Sequence, residues 1–305
     1  MQPLPKMEDA LTLPMPTGPL GRTGWNVSRL ALGGVKWDTQ LPEAEAVRLL
    51  RRAVELGVNA IDTAFVYGKG QSESRLGLAL EGFRERVFVS TKVSDRSYDG
   101  ARRQMDESFR RLRMERVDLM FMHALDNGAD LASILGRQGV LRAIEEYRAA
   151  GRIRFVGASS HWYRDSLWRL MEEYPLDAVL FAGGLFNQAY DYDYLETTLP
   201  LARRRGIATM SMKIFGAGRV KHAAAVEPYL RYALHTGVDA LVIGCDSLAQ
   251  LEQTVAIVKR QPPPLTPDEQ RALYPECRRV TQSWDAGEYN WVSHYIARAA
   301  SGAAH

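Results

Sequence analysis

The stretch RVFVSTKVSDRSYDGARRQMDESFRRLRMERVDLMFMH (86–123) has a short apolar run at each end and an amphipathic helical pattern between the two runs. A strand, a crossover helix and a second strand in this order form one unit of a parallel sheet. Both runs are almost continuously apolar, which is typical of strands whose two faces are covered. The stretch therefore predicts a buried parallel sheet with helices outside it.

The same unit recurs along the rest of the chain. We predict strands over residues 28–34, 59–64, 86–93, 117–123, 154–160, 177–183, 207–213 and 240–245. Helical patterns lie near residues 43–56, 72–82, 99–113, 139–150, 163–173, 193–205, 225–236 and 247–259. A glycine follows several of these patterns, as at Gly57 and Gly151, where a left-handed residue commonly ends a helix. Eight buried strands alternating with helices predict an α/β fold, a (β/α)8 TIM barrel.

Further segments lie at both ends of the chain. Residues 1–16 are predicted as a flexible N-terminal tail and residues 17–305 as a single barrel domain, in which residues 17–27 form a hairpin that closes the barrel bottom. From QPPPLTP (261–267) onward we predict a rigid linker, a capped helix and a C-terminal tail. The tail either packs against the barrel or covers the site as a lid, and it contains four large aromatic residues: Trp284, Tyr289, Trp291 and Tyr295.

Charge and cysteine content argue against several function classes. The chain has 39 basic and 36 acidic residues, a balance that indicates neither a nucleic-acid partner nor a membrane partner. With only Cys245 and Cys277, the sequence predicts neither a disulfide framework nor a metal centre. The chain starts without a basic, apolar leader and contains no run of about 18 apolar residues, so we predict a cytoplasmic protein. The sequence pattern leaves the oligomeric state open.

Four polar residues lie at or just after the ends of three consecutive predicted strands. Asp62, Lys92 and His123 each close an apolar run, and Tyr67 lies in the loop that follows Asp62. In a barrel of parallel strands the active site lies at the carboxyl ends of the strands. We therefore expect these four side chains to meet in one site.

The four residue types suit proton transfer to a carbonyl oxygen. A free phenol titrates near pH 10, which is too high for an efficient acid or base at neutrality. A cation about 4 Å away lowers such a pKa by about three units, so Lys92 is predicted to bring the pKa of Tyr67 toward 7. Asp62 is predicted to keep Lys92 charged, and a neutral His123 to donate a hydrogen bond to the substrate oxygen.

Over residues 18–260 the sequence resembles the aldo-keto reductase family. The resemblance rests on DTA-x-x-YG (62–68), on TK (91–92) and on DL-x-x-x-H (118–123), which follow one another in the family's spacing. It implies a nicotinamide-dependent oxidoreductase that interconverts an alcohol with an aldehyde, a ketone or a sugar carbonyl. It also implies that Asp62, Tyr67, Lys92 and His123 form a catalytic tetrad, with Tyr67 as general acid in reduction and general base in oxidation.

The resemblance further implies a set of cofactor-binding residues: Gly34, Val35, Asp62, Ser159, Ser160, Met212, Lys213, Phe215, Gly216, Gly218, Gly244 and Gln250. Several positions depart from the common family pattern. Ser160 replaces an asparagine, Leu180 a glutamine, and Met212 an aromatic residue that stacks on the nicotinamide. Gly244 and Gln250 replace a basic pair that often binds the 2′-phosphate, so both NADP(H) and NAD(H) remain candidates. The helix that starts near Ser247 is predicted to present N–H groups to an anion.

Substrate contacts are predicted at four aromatic residues: Trp37, Phe65, Tyr98 and Trp162. Their number is compatible with an apolar or aromatic carbonyl compound and equally with a sugar, since both stack on aromatic faces. The predicted partner is therefore a small molecule of either class.

Two other functions fit the same residues. In a barrel lyase or racemase, Lys92 would form a Schiff base with the substrate or with pyridoxal phosphate. A non-catalytic regulatory subunit would bind the nicotinamide cofactor without turnover. Borohydride trapping of a Lys92 adduct would favour the first alternative, whereas oxidation of a reduced nicotinamide by a generic aldehyde would exclude it.

Overall fold

The computed structural model describes residues 4–125, 130–161, 164–188, 194–218 and 223–282. Two strands near the N-terminus, β1 (Thr17–Pro19) and β2 (Asn26–Ser28), pair antiparallel. Eight parallel strands then close into a barrel in the order β10-β3-β4-β5-β6-β7-β8-β9. These strands are β3 (Leu30–Gly33), β4 (Ala60–Asp62), β5 (Phe88–Val93), β6 (Val117–Met122), β7 (Ile153–Ser160), β8 (Ala178–Ala182), β9 (Ala208–Met212) and β10 (Ala240–Ile243). The predicted (β/α)8 barrel is confirmed.

A crossover helix follows each barrel strand, and shorter helices lie in the loops and at the chain ends. The helices are α1 (Met7–Ala10), α2 (Glu43–Glu55), α3 (Gln71–Ala79), α4 (Tyr98–Leu112), α5 (Asp130–Leu135), α6 (Val140–Ala149), α7 (Arg164–Glu173), α8 (Leu185–Gln188), α9 (Tyr194–Arg204), α10 (Ala223–Leu234), α11 (Leu248–Arg260) and α12 (Pro267–Gln282). None of the helices that the structure describes is long and apolar enough to cross a membrane.

Local sequence explains where α4 begins and ends. The Ser97 hydroxyl accepts a hydrogen bond from the N–H of Gly100 at 3.2 Å, and Arg113 ends the helix in a left-handed conformation. The buried face of α4 carries Met105, Phe109 and Leu112, spaced three or four residues apart. This spacing turns one apolar stripe toward the sheet, as the sequence pattern predicts.

The hairpin of β1 and β2 closes the amino-terminal end of the barrel, as predicted. Leu20 and Val27 are fully buried with the side chains that fill the barrel interior. Trp25 packs edge-on against Phe88 at the start of β5, with ring centroids 5.5 Å apart. The N–H of Gly21 donates to the Asp239 carboxylate just before β10. With this end filled, the carboxyl end of the barrel is the open one.

Part of the segment predicted as a flexible tail, residues 1–16, packs against the barrel around α1. Met7, Leu11 and Met15 are four residues apart and pack on the core between the helices and the sheet. The Lys259 ammonium at the end of α11 donates to the carbonyl oxygen of Leu11 at 2.7 Å. Burial of an apolar face at helical spacing therefore attaches this segment to the barrel.

The linker and capped helix predicted after residue 260 are present. The N–H of Thr266 donates to the Glu269 carboxylate, and the N–H of Glu269 donates to the Thr266 hydroxyl, which is a reciprocal helix cap at the start of α12. The four tail aromatics, Trp284, Tyr289, Trp291 and Tyr295, lie outside the described residues. The choice between a packed tail and a lid stays a prediction.

Candidate functional site

Barrel register brings Asp62 and Lys92 together. Asp62 ends β4, and Lys92 lies near the end of the neighbouring strand β5. The Lys92 ammonium donates to the Asp62 carboxylate and to the carbonyl oxygen of Thr63, the latter at 2.6 Å. The Ser90 hydroxyl donates to the other Asp62 oxygen at 2.6 Å. The side chains of the pair are only 1% and 3% exposed, so this is a fully buried ion pair whose polar atoms are hydrogen-bonded.

Tyr67 and His123 complete the group of four. The Lys92 nitrogen lies 5.0 Å from the centre of the Tyr67 ring. The rings of Tyr67 and His123 meet edge to face, with centroids 5.6 Å apart. His123 follows β6 and donates its backbone N–H to the carbonyl oxygen of Val93 on β5. The structure therefore brings the four predicted side chains into one cluster at the open end of the barrel.

A tight turn holds Tyr67 in this position. Tyr67–Gly70 forms a single 3-10 turn in which Gly68, Lys69 and Gly70 all have positive φ angles. Gly70 has a φ of +94°, which residues with a side chain rarely adopt, and a Cβ there would also meet the guanidinium group of Arg111, so the position favours glycine. Arg111 also donates to the carbonyl oxygen of Phe65 at 3.1 Å. Arg111 on α4 thus supports the loop from outside the barrel.

The pKa of Tyr67 departs from the prediction. Burial raises the pKa of the phenol above its ordinary value, and the Lys92 charge lowers it by less than burial raises it. Burial alone would lower the pKa of Lys92, but Asp62 and Tyr67 raise it above its ordinary value. The predicted shift of Tyr67 toward neutrality is therefore wrong for this state, because desolvation of the phenolate outweighs attraction to the ammonium. Tyr67 is protonated and Lys92 charged at neutral pH.

A cleft opens beside Asp62 and Tyr67 at the carboxyl ends of β3, β9 and β10. Asp62 and seven of the other residues predicted to bind cofactor line this cleft, the seven being Gly34, Val35, Met212, Lys213, Phe215, Gly218 and Gly244. The cleft shares Lys36, Gln40, Phe215, Gly218 and Gly244 with a second space of about 940 Å³, which we call the outer cavity. The outer cavity lies between α1 and α11, and its own lining includes Met7, Glu8, Leu11, Asp246, Gln250 and Gln253.

Three predicted cofactor residues, Ser159, Ser160 and Gly216, line neither the cleft nor the outer cavity. The Ser159 hydroxyl accepts a hydrogen bond from the N–H of Ala124 at 2.9 Å. The Ser160 hydroxyl lies 2.8 Å from that of Tyr194 at the start of α9, so it faces the helices outside the barrel. Gly216 belongs to the 3-10 turn Gly216–Gly218 that forms the cleft edge. Side chains on a strand alternate between faces, which explains why Ser160 points away.

The start of α11 is less available to an anion than predicted. The Ser247 hydroxyl accepts a hydrogen bond from the N–H of Gln250, and the Gln250 side chain accepts one from the N–H of Asp246. These contacts engage the N–H of Gln250 in the first turn of the helix and the N–H of Asp246 just before it. Asp246 also adds a carboxylate at this helix end.

The aromatic residues predicted to contact substrate are not gathered at the cleft. Trp37 is 0% exposed in the core, with its indole N–H directed at the carbonyl oxygen of Ser72. Phe65 stacks under the Arg111 guanidinium, 4.5 Å from the ring centre. Tyr98 donates its hydroxyl to Glu146 on α6, outside the barrel. Trp162 lies outside the described residues. The predictions for Trp37, Phe65 and Tyr98 are therefore not supported, because packing and surface pairing account for these rings.

Lys36 and the α1 residues of the outer cavity are missing from the predictions. Lys36 comes three residues after β3, and its side chain crosses the cleft mouth. A Cβ on Gly218 would lie 3.0 Å from the Lys36 nitrogen, and a Cβ on Gly244 would lie 2.8 Å from the Lys36 Cγ. A polar residue soon after an apolar run is the signal that identified Asp62, and it could have identified Lys36. The spacing of Met7 and Leu11 could have identified α1.

Known proteins resemble the chain in sequence and in structure. The model of the aldo/keto reductase family matches residues 29–229. Pyridoxal 4-dehydrogenase of Microbacterium luteolum is 30% identical, over 70% of this chain and 75% of that protein. A Pseudomonas aeruginosa protein described as an aldo-keto reductase has a solved structure with a TM-score of 0.70 and 27% identity, covering 83% of this chain and 99% of its own. The holo form of aldo-keto reductase AKR11C1 of Bacillus halodurans has the same fold, with a TM-score of 0.70 and 23% identity, over 87% and 96% of the two chains.

Proposed function

The chain belongs to the aldo-keto reductase family, and we propose that it is a nicotinamide-dependent oxidoreductase that interconverts a small carbonyl compound and its alcohol. The observation that carries this proposal is the buried Lys92–Asp62 pair beside the Tyr67 phenol, at the edge of the cleft. A protonated phenol next to a fixed ammonium is a proton donor that can face a carbonyl oxygen held in the cleft.

Each of the four residues has a distinct proposed role. In reduction, the Tyr67 hydroxyl transfers its proton to the carbonyl oxygen, and the resulting phenolate is stabilised by the Lys92 charge. Asp62 keeps Lys92 charged and fixes its position through the salt bridge. His123, edge-on to the Tyr67 ring, orients the substrate oxygen by a hydrogen bond. In oxidation the Tyr67 phenolate accepts the alcohol proton.

The cleft and the outer cavity fit a nicotinamide dinucleotide. When bound, the nicotinamide supplies the hydride in reduction or accepts it in oxidation. Gly34, Gly218 and Gly244 line the cleft without side chains, which leaves room for an elongated ligand. Lys36 lies against Gly218 at the junction of the two spaces, where its charge can bind a pyrophosphate. A volume of about 940 Å³ for the outer cavity is ample for the adenosine half.

The ion pair of Lys92 with Asp62 disfavours the Schiff-base alternative. A lysine must lose its proton before it can attack a carbonyl carbon, and the pKa of Lys92 is raised above its ordinary value by Asp62 and Tyr67 in spite of burial. The ammonium also donates to two oxygens, those of Asp62 and Thr63. The lysine that the lyase would use is therefore held in its protonated, unreactive form.

Binding and turnover test the proposal separately. NADH and NADPH are titrated while protein fluorescence is followed, and a panel of aldehydes and ketones is then assayed. The panel includes pyridoxal, because pyridoxal 4-dehydrogenase is among the relatives. We expect at least one dinucleotide to bind and at least one carbonyl compound to be reduced.

The Tyr67→Phe variant should bind the same dinucleotide and lose turnover, because only the proton donor is removed. Tyr98→Phe is the matched control, since it removes a hydroxyl that bonds to Glu146 outside the barrel, and it should retain full activity. Undiminished turnover in Tyr67→Phe would remove Tyr67 from its proposed role. Binding without turnover of any panel compound would favour the regulatory alternative.

A further inference from the structure

The outer cavity carries an excess of negative charge. Its described lining contains three carboxylates, from Glu8, Asp246 and Glu252, and the ammonium of Lys36 is the one cation among those residues. Glu252 is neutralised by Arg52, whose Nε donates to it at 2.9 Å. No described cation pairs with the carboxylates of Glu8 and Asp246.

The positive charge is concentrated at the inner end of the outer cavity. Lys36 lines both the cleft and the outer cavity, so its charge lies at their junction. Glu8 and Asp246 line only the outer cavity. A dinucleotide with its nicotinamide near Tyr67 therefore meets the cation first and the two acids farther out.

Two backbone N–H groups at the outer end of the outer cavity already donate to other atoms of the protein. The N–H of Gln250 is capped by Ser247, and the N–H of Asp246 is bonded to the Gln250 side chain. A phosphate dianion bound there would lose water, would find two nearby donors already engaged, and would face two carboxylates. A ribose hydroxyl, in contrast, can donate a hydrogen bond to a carboxylate.

We propose that the outer cavity selects a dinucleotide with an unphosphorylated ribose, so that the protein prefers NAD(H) over NADP(H), with Asp246 and Glu8 as the specificity determinants. This inference rests on the proposed function. Asp246 comes from the start of α11 and Glu8 from α1, so the segment before the barrel contributes directly to the choice of cofactor. Each carboxylate is expected to weaken binding of a 2′-phosphate by about tenfold, through repulsion of a dianion at a distance of several ångströms.

Equilibrium binding provides the test without any need for turnover. Dissociation constants are measured by calorimetry for NADH and NADPH, and for the fragments 5′-AMP and 2′,5′-ADP. We expect NADH to bind at least tenfold more tightly than NADPH, and 5′-AMP more tightly than 2′,5′-ADP. Asp246→Asn and Glu8→Gln should each improve NADPH binding by about tenfold and leave NADH binding within about threefold.

Glu81→Gln is the matched control, because it removes one negative charge from an exposed turn outside the cavity. It should leave the ratio of NADPH to NADH affinity unchanged. NADPH binding as tight as NADH, or an unchanged ratio in both Asp246→Asn and Glu8→Gln, would refute the specificity inference and leave the proposed function intact. Binding of neither dinucleotide would refute both.

Discussion

Replacement of Lys92 by methionine tests whether the buried ion pair holds the site together. The variant leaves the Asp62 carboxylate at 3% exposure with Ser90 as its remaining side-chain donor. Removal of one member of a buried pair costs about 3–5 kcal/mol, because the other charge stays desolvated without a partner. We therefore expect Lys92→Met to lower the free energy of unfolding by about that amount at neutral pH.

Urea unfolding followed by circular dichroism measures this loss in a four-variant cycle. Lys92→Met and Asp62→Leu should each be strongly destabilised, and the double variant should recover most of the loss because no charge is left buried. The loss in Lys92→Met should be smaller at low pH, where protonation removes the unpaired charge. Arg110→Met, which breaks an exposed pair with Glu107, should leave stability almost unchanged. Additive losses in the double variant would refute the coupling.

Three further predictions concern pH and packing. Burial raises the pKa of the Tyr67 phenol above its ordinary value. Reduction needs the protonated phenol, so its kcat/KM should stay constant from about pH 6 to about pH 9, whereas oxidation needs the phenolate, so its kcat/KM should rise by up to about tenfold per pH unit. Opposite profiles would contradict the assignment of Tyr67. Trp37→Ala should lower stability by about 3–5 kcal/mol, measured by urea unfolding, and leave relative activities across the panel unchanged, since the ring is 0% exposed. Gly34→Ala would bring a Cβ within 2.7 Å of the Ser72 hydroxyl oxygen, so kcat/KM should fall about tenfold to a hundredfold. The control Gly18→Ala should match the wild type, because a Cβ on Gly18 would meet no neighbouring atom within 4 Å.

The barrel could be predicted because buried strands and amphipathic helices each leave a periodic signal. Every predicted strand overlaps an observed one, and the boundaries of β6 differ by one residue from the predicted 117–123. The N-terminal segment is less regular, since α1 spans only Met7–Ala10 and begins after prolines. Its attachment depends on contacts with α11, more than 230 residues away along the chain, which no local pattern reports.

Residue type and position at strand ends were sufficient to predict that the four proposed catalytic residues lie together, but not to predict which side chains line the cleft on the substrate side. Asp62, Lys92 and His123 take their positions from neighbouring strands, so their proximity follows from the topology. Trp37 and Tyr98 also follow strands, yet one ring turns into the core and the other onto the outer surface. The sequence gives no rule for how a loop side chain turns, because that depends on packing partners from distant segments.

The pKa of Tyr67 could not be predicted from the sequence, because it depends on two opposing effects, the burial of the phenol and its attraction to the Lys92 charge. The distance to Lys92 could be guessed from the motif, whereas the burial of the phenol follows from the surrounding loops. At neutral pH the structure holds Tyr67 as a phenol, which favours the general-acid role.

Register in the barrel determines whether Asp62 and Lys92, two members of the proposed tetrad, can meet. Asp62 lies opposite Ser90, and Lys92 opposite Phe121. Side chains alternate along a strand, so a slip of one residue in β5 would turn Lys92 out of the barrel and leave Asp62 buried without its cation. Phe88 shares the inward face of β5 with Lys92 and packs against the hairpin through Trp25. The hairpin at the closed end thus helps fix the register on which the chemistry at the open end depends.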